Sequence, residues 1–308
     1  MSHNYLVTGA AGFIGAAVAE KLILAGNEVT TIDNLSTGYI EHIPNGVTFI
    51  EGNTFDKTSI DKLKYQKFDA IIHIAGQSSG EISFENPVYD LQTNCQSTLM
   101  LLEYAKESGC DKFIYASTMS VYGDHVPYEC TEDTELIPNS FYAVGKLASE
   151  HYMRIYSNQY GLACTALRLF NTYGEGQNLN NLKQGMVSIY LAMALKEGKI
   201  VVKGSKDRFR DFIFIDDVVD AFLKALDRKC GYDVFNVCTG KPTTVEDVIN
   251  SLLLQLDTKV DVQYIEGTPG DQFGIYGNFE KISEALDWKA RTSFDEGIKS
   301  MVKWAKNS

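Results

Sequence analysis

A phenol and an ammonium lie four residues apart in Tyr142-Ala143-Val144-Gly145-Lys146, a spacing that puts both on one face of a helix. A lysine beside a tyrosine can lower the pKa of the phenol, which makes it usable as a base near neutral pH. Spacing alone says little. With 17 tyrosines in 308 residues, about one such pair is expected by chance, and Tyr142 is the one tyrosine with a lysine at that offset. The context carries the inference, because the chain begins with a place for an electron acceptor. Gly9-Ala10-Ala11-Gly12-Phe13-Ile14-Gly15 follows the apolar run Tyr5-Leu6-Val7 and opens a helical stretch, Ala16 to Leu24. Three glycines at a strand-to-helix turn let main-chain N–H groups approach a pyrophosphate at a helix N-terminus. A second strand, Glu28 to Ile32, ends at Asp33, where a dinucleotide site needs an acceptor for the ribose hydroxyls. A carboxylate there repels a 2′-phosphate, so these residues point to NAD as cofactor rather than NADP.

The elements that must position these groups alternate. Val47-Thr48-Phe49-Ile50 reads as a third strand and Ala70-Ile71-Ile72-His73-Ile74-Ala75 as a fourth. A helix from about Pro87 to Glu107 precedes a fifth strand, Lys112-Phe113-Ile114-Tyr115-Ala116. Phe141 to Gln159 is helical and Cys164-Thr165-Ala166-Leu167-Arg168-Leu169 is a sixth strand. Apolar strands bounded by helices indicate a parallel sheet covered on both faces. The fold class is α/β: a Rossmann-type doubly wound parallel sheet with a smaller, interleaved C-terminal α/β lobe. The expected organisation is a dinucleotide-binding domain over 1–171 and a substrate-binding lobe mainly over 172–308. The strand Val234-Phe235-Asn236-Val237 returns to the first sheet, so no clean single boundary is expected. Gln184 to Glu197 looks helical. Thr244-x-x-Asp247 and Ser293-x-x-Glu296 each read as a capping box opening a helix.

Bulk properties narrow the function classes. A net charge of −12 argues against nucleic-acid or anionic-membrane partners. No apolar stretch approaches the roughly 20 residues of a membrane helix, and no basic region precedes the first strand, so no signal peptide is expected. Six cysteines without CxxC spacing read as reduced thiols of a cytoplasmic protein. His3, His42, His73, His125 and His151 show no metal spacing, and no metal is expected. His73, inside an apolar strand, reads as a core residue.

The chain resembles the extended short-chain dehydrogenase/reductases that act on nucleotide sugars. The likeness runs through the glycine turn, Asp33, Ala75-Gly76, Asn94, Ser117-Thr118-Met119-Ser120-Val121-Tyr122-Gly123 and the Tyr142/Lys146 pair. It continues through Arg168-Leu169-Phe170-Asn171, Arg210-Asp211-Phe212-Ile213-Phe214-Ile215-Asp216-Asp217 and Gly270-Asp271. The subgroup it is most similar to is the UDP-glucose/galactose 4-epimerases. The resemblance implies that Thr118, Tyr142 and Lys146 are catalytic. It implies that Gly9, Gly12, Phe13, Ile14, Gly15, Asp33, Asn34, Asn53, Thr54, Ala75, Gly76 and Asn94 bind NAD together with Tyr142 and Lys146. Ser78, Thr118, Asn171, Arg210 and Asp271 would meet the nucleoside-diphosphate sugar. Taken alone, Thr118 reads as a strand-end residue, Asn171 as a turn residue and Asp271 as an exposed turn carboxylate. Lys203, Lys206, Arg208 and Arg210 make one segment locally cationic in an acidic chain, which favours an anion there.

Departures from the family pattern matter as much. Related 4,6-dehydratases carry an Asp-Glu pair after the threonine, and here Met119 and Ser120 cannot transfer those protons, which disfavours dehydration. Thr268 stands where many epimerases hold an arginine for the diphosphate. Asn53 replaces an aspartate at the adenine, and Ser78 replaces a lysine of some galactose epimerases. Ile275 is intermediate in size where room for an N-acetyl group is set. The expected reaction is reversible oxidation at C4 of a nucleotide hexose with return of the hydride to the opposite face. A net dehydrogenase/reductase shares its first half-reaction, and a catalytically silent NAD-binding protein has no need of the Thr/Tyr/Lys set. A homodimer is expected through the helices near 87–107 and 141–159, by way of their apolar faces Leu99, Leu102 and Ala105, and Leu147, Tyr152 and Ile155.

Overall fold

The computed structural model describes residues 2–64, 66–124, 128–182, 185–229, 231–256, 259–267 and 272–307. The chain forms two compact units, neither continuous in sequence. The first takes Met1–Gly123, Glu135–Leu169 and Val219–Phe235; the second takes Asp124–Thr134, Phe170–Val218 and Asn236–Ser308.

Within the first unit, β1 (Asn4–Thr8), β2 (Glu28–Asp33), β3 (Thr48–Glu51), β4 (Ala70–His73) and β5 (Lys112–Thr118) join two later strands, Ala163–Leu169 and Tyr232–Val237. Their order is Tyr232–Val237, Ala163–Leu169, β5, β4, β1, β2, β3. The pairs β1–β2, β2–β3, β1–β4, β4–β5 and β5 with Ala163–Leu169 are all parallel. The order reverses between β1 and β4, and in such sheets ligands bind outside the carboxyl ends of the strands at that switch point. Thr8, His73 and Thr118 end three of these strands. Apolar strand residues such as Leu6, Ile32, Ile71, Phe113 and Ala166 meet helix residues Leu101, Leu102 and Met153 in one buried cluster. Burial of both sheet faces explains why these strands read as continuous apolar runs.

Local chemistry sets the helix ends. Phe141–Tyr160 starts at Ser140, whose hydroxyl accepts from the Ala143 N–H at 3.1 Å, and stops at Gly161 with φ +74°, a left-handed stop that favours glycine. Pro87–Leu91 opens on Pro87 behind the Asn86 cap, then passes through a π-helical turn, Gln92–Gln96, into Ser97–Ser108. The sequence does not announce that π turn. It widens the helix where Asn94 sits and frees the Asn94 main-chain carbonyl, which accepts from Thr98 Oγ1 and Ser149 Oγ, both at 2.8 Å. Such turns are frequent at functional sites.

The second unit holds a four-stranded sheet of Thr243–Thr244, Phe209–Arg210, Gly274–Gly277 and Glu129–Cys130, in that order. Two further strand pairs join Asn171–Tyr173 to Phe212–Phe214 and Lys199–Lys203 to Asp261–Ile265. Both expected capping boxes form, at Thr244/Asp247 and Ser293/Glu296. Trp288 is buried and its indole N–H donates to the Asp217 carbonyl at 3.1 Å.

Candidate active site

The first unit brings the glycine turn, Asp33, Asn94, Thr118, Tyr142 and Lys146 into one body. At the glycine turn Gly9 has φ +80°, and a Cβ there would stand 2.9 Å from the Ala75 nitrogen. A Cβ on Gly15 would lie 2.0 Å from the Gly9 carbonyl oxygen. These are steric demands that only glycine meets. The turn delivers the helix Phe13–Leu24, whose cap residue Gly12 provides no side-chain hydrogen bond. Its first N–H groups, at Phe13 and Ile14, therefore stand ready for an anion. Asp33 ends β2, with Oδ2 accepting from the Ala11 N–H at 3.0 Å and Oδ1 from the Leu35 N–H at 2.8 Å. Each oxygen keeps a lone pair for a hydroxyl. Asn34 and Asn53 are hydrogen-bonded to each other at 2.8 Å, and Asn53 also donates to Asp56 at 2.7 Å. Thr54 beside them is buried.

Thr118 ends β5. Its hydroxyl accepts from the Ser120 N–H at 3.1 Å and lies 3.2 Å from the Ser120 hydroxyl. Tyr142 occupies the first turn of the helix Phe141–Tyr160, and Lys146 follows one turn later, both buried. The Lys146 ammonium donates to the Ala116 carbonyl at 2.9 Å and stands 4.7 Å from the Tyr115 ring centre and 5.8 Å from that of Tyr142. Burial brings Lys146 down to about 8, with the Asp90 carboxylate opposing it. Burial pushes Tyr142 up to about 12; the Thr118 hydroxyl pulls it down and Asp90 pushes it further up. Burial is the largest of these influences on the phenol in the ligand-free protein.

Asn94 projects from the π turn. Its Nδ2 donates to the Gln77 carbonyl at 2.9 Å and to Asp90 Oδ1 at 3.1 Å. Its Oδ1 is buried without a partner among the described residues. A Cβ on Gly76 would lie 2.5 Å from that oxygen and 3.6 Å from Lys146 Nζ, so Gly76 leaves the space that exposes both. The orphaned acceptor, the uncapped helix start and the glycine cradle fit a dinucleotide lying across the carboxyl ends of the strands. Ser78 lies on the exposed segment after β4.

The sequence reading missed what braces this body. Glu150, one turn after Lys146, accepts from Arg168 Nε at 3.0 Å, Arg168 Nη2 at 2.7 Å and the Ser117 hydroxyl at 2.5 Å. Arg168 Nη1 reaches the Tyr122 hydroxyl at 3.0 Å. This buried fork–fork pair ties the strand Ala163–Leu169 to the helix Phe141–Tyr160, and the Ser117 hydroxyl ties β5 to the same carboxylate. His73 is a core residue, with Nδ1 2.8 Å from Thr8 Oγ1 and Nε2 3.2 Å from Ser97 Oγ. Burial holds it well below its usual pKa, and Lys146 lowers it further.

The second unit carries the remaining expected substrate residues. Asn171 Oδ1 is buried and unpartnered among the described residues, beside a small cavity lined by Tyr173, Gln177, Met186 and Phe212. The Arg210 guanidinium is buried, donating to the carbonyls of Phe209 at 2.7 Å and Gln272 at 2.8 Å. Burial brings it down to about 10, with Arg208 adding to the shift. Arg208 is also buried, its guanidinium donating to the carbonyls of Ser205 and Lys203. Lys206 instead pairs with Glu246 at the surface, at 2.8 Å. Ile275 is buried and pairs in register with Arg210. Asp271, Thr268 and Gly270 lie outside the described residues.

Comparison with known proteins agrees with this geometry. A putative UDP-glucose 4-epimerase of Methanocaldococcus jannaschii is 33% identical over 304 residues, covering 98% of both chains. The structure of a UDP-glucose 4-epimerase of Thermotoga maritima, solved with UDP-glucose, superposes with a TM-score of 0.95 at 33% identity, covering 99% of each chain. That of the Thermus thermophilus enzyme, solved with NAD, gives 0.89 at 32% identity, again over 99% of each. Residues 5–238 match the family described as the NAD dependent epimerase/dehydratase family. On this match and these relatives, the chain is a member of the NAD-dependent epimerase/dehydratase family.

Proposed function

We propose that the protein is a nucleotide-sugar 4-epimerase acting on a UDP-hexose of the glucose/galactose type. The observation that carries this reading is the buried Thr118–Tyr142–Lys146 set on the same unit as the glycine turn and Asp33. Gly9, Gly12, Phe13, Ile14, Gly15, Asp33 and Asn94 hold NAD, with Asn34, Asn53, Thr54, Ala75 and Gly76 around them. Bound NAD supplies a redox ring that is positively charged when oxidised and exchanges hydride with C4 of the sugar. Tyr142 takes the proton of the C4 hydroxyl and returns it after the sugar has turned over. Thr118 donates a hydrogen bond to the same oxygen, and Lys146 supplies the positive charge that favours the phenolate. Arg210 and Asn171 hold the diphosphate and sugar; Ser78 and Asp271 complete the substrate site. Met119 and Ser120 follow Thr118 without an acid–base pair, so the sugar keeps its C6 hydroxyl.

The protein works in the cytoplasm, in keeping with free Cys95, Cys110, Cys130, Cys164 and Cys238; among the described residues no helix is long and apolar enough to cross a membrane. It pairs as a homodimer through the helical faces that bear exposed Val88, Leu91, Leu99, Val144 and Ile155. Leu102 and Ala105 are buried in the first unit's core and take no part. Light scattering that gives the monomer mass at micromolar protein removes the dimer. The function is tested by incubating purified protein with UDP-galactose and following product stereochemistry by NMR together with absorbance at 340 nm. Formation of UDP-glucose without net NADH is expected. Stoichiometric NADH, an accumulating ketone, or no turnover of any UDP-hexose overturns the reading.

A further inference from the structure

Asp90 belongs to none of the groups assigned above, yet it is 1% exposed. Its Oδ1 accepts from Gln77 Nε2 at 2.8 Å and from Asn94 Nδ2 at 3.1 Å. Its Oδ2 is buried and has no partner among the described residues. That oxygen faces the catalytic helix: a Cβ on Gly145 would stand 3.6 Å from it, next to Lys146. A buried carboxylate with a bare oxygen is unfavourable for folding, so a functional reason for it is called for.

Two consequences follow from the chemistry of a carboxylate. It only accepts hydrogen bonds, so the amide edge of Asn94 that meets it is the NH2 edge. The Gln77 carbonyl holds the same NH2 group at 2.9 Å. The Asn94 oxygen is thereby turned toward Gly76, where it shares a small space with Lys146 Nζ. The carboxylate is also a fixed negative charge where water is excluded, so its influence on neighbours is strong.

We propose that Asp90 is a positioning residue of the active site. It fixes the Asn94 amide with its oxygen toward Lys146, and its charge keeps the Lys146 ammonium protonated while the reaction runs. The groups around Lys146 are the Tyr115 ring from β5, His73 from β4, Tyr142 from its own helix and Asp90 from Pro87–Leu91, with Glu150 one helical turn further on. Burial holds Tyr115 protonated and His73 neutral, and Glu150 is engaged by Arg168. Asp90 is the charge that raises Lys146 against burial, and it raises Tyr142 as well. Burial raises Asp90 itself, while Gln77, Lys146 and Asn94 each pull it back toward the ionised form.

The test is Asp90→Asn, which keeps the shape and removes the charge, with Asp90→Ser as the second variant should the first not fold. In the ligand-free protein, amine labelling of Lys146 is followed against pH and located by mass spectrometry. The midpoint is expected to move to lower pH by roughly one unit. The kinetic arm rests on the epimerase reading: both limbs of the kcat–pH profile move to lower pH, because Lys146 and Tyr142 lose the same negative neighbour. Each unit lost by Lys146 is a tenfold loss of the protonated form on the alkaline side. A packing role lowers kcat or thermal stability without moving either limb. An unmoved labelling midpoint, or limbs that stay in place while kcat falls, overturns the proposal. A moved midpoint in a protein that turns over no nucleotide sugar supports Asp90 and removes the epimerase reading instead.

Discussion

Arg168→Met opens the buried brace beneath the site and has a magnitude that follows from the geometry. The substitution removes at least three charge-assisted hydrogen bonds, two of them to the Glu150 carboxylate, and leaves Glu150 at 2% exposure with the Ser117 hydroxyl as its remaining donor among the described residues. Removing one partner of a buried ion pair destabilises by about 3–5 kcal/mol, most of it from the uncompensated charge. Unfolding entropy scales at about 2.1 cal/mol/K per residue, so for this chain the midpoint falls by roughly 5–8 °C. Arg168→Met with Glu150→Gln recovers most of the loss, since neither partner is then left charged. Calorimetry of wild type, both single variants and the double variant at neutral pH reads these differences. Ser117 precedes Thr118 and Glu150 follows Lys146 by one turn, so the single variant loses turnover as well. A single variant within about 1 kcal/mol of wild type, or a double variant no better than Arg168→Met, refutes the reasoning.

Three further outcomes follow. Gly15→Ala drives a methyl group into the Gly9 carbonyl at 2.0 Å, and NAD affinity measured by calorimetry should fall more than tenfold; unchanged affinity removes the glycine turn from the cofactor site. Lys146→Met is expected to abolish turnover while raising the thermal midpoint at pH 7. Lys146 is lowered to about 8 in the folded state, so the unfolded chain binds the extra proton and wild-type stability rises with pH from about 8 to about 10. The gain from Lys146→Met therefore shrinks over that window, and a variant less stable than wild type at pH 7 counts against the buried ammonium. Arg210→Met should raise KM for the nucleotide sugar roughly tenfold or more with less effect on kcat; an unaltered KM removes Arg210 from the diphosphate.

Much of the architecture was legible because it rests on local signals. Apolar runs such as Ala70–His73 and Lys112–Thr118 are continuous where both sheet faces are covered, and Ser140, Gly161, Thr244 and Ser293 mark helix ends through their own hydrogen bonds or positive φ. Tyr142 and Lys146 were legible because a pair one helical turn apart follows a glycine turn and Asp33 in the same chain. What stayed hidden depends on residues far apart in sequence. Asp90 reads as an ordinary helix-start carboxylate four residues before Asn94, and only the fold carries it to Gln77 and Gly145. The π turn at Gln92–Gln96 has no residue signature, although it frees the Asn94 carbonyl for Ser149. Glu150 and Arg168 meet across helix and strand, which no spacing rule on either segment reveals.

The central claim is that the Tyr142 phenol carries the proton at C4 of a nucleotide sugar. Tyr142→Phe removes only that oxygen. The rate of interconversion of UDP-galactose and UDP-glucose should fall at least a hundredfold, with NAD binding and the thermal midpoint close to wild type. Turnover within about threefold of wild type in a folded, NAD-loaded Tyr142→Phe protein contradicts the account.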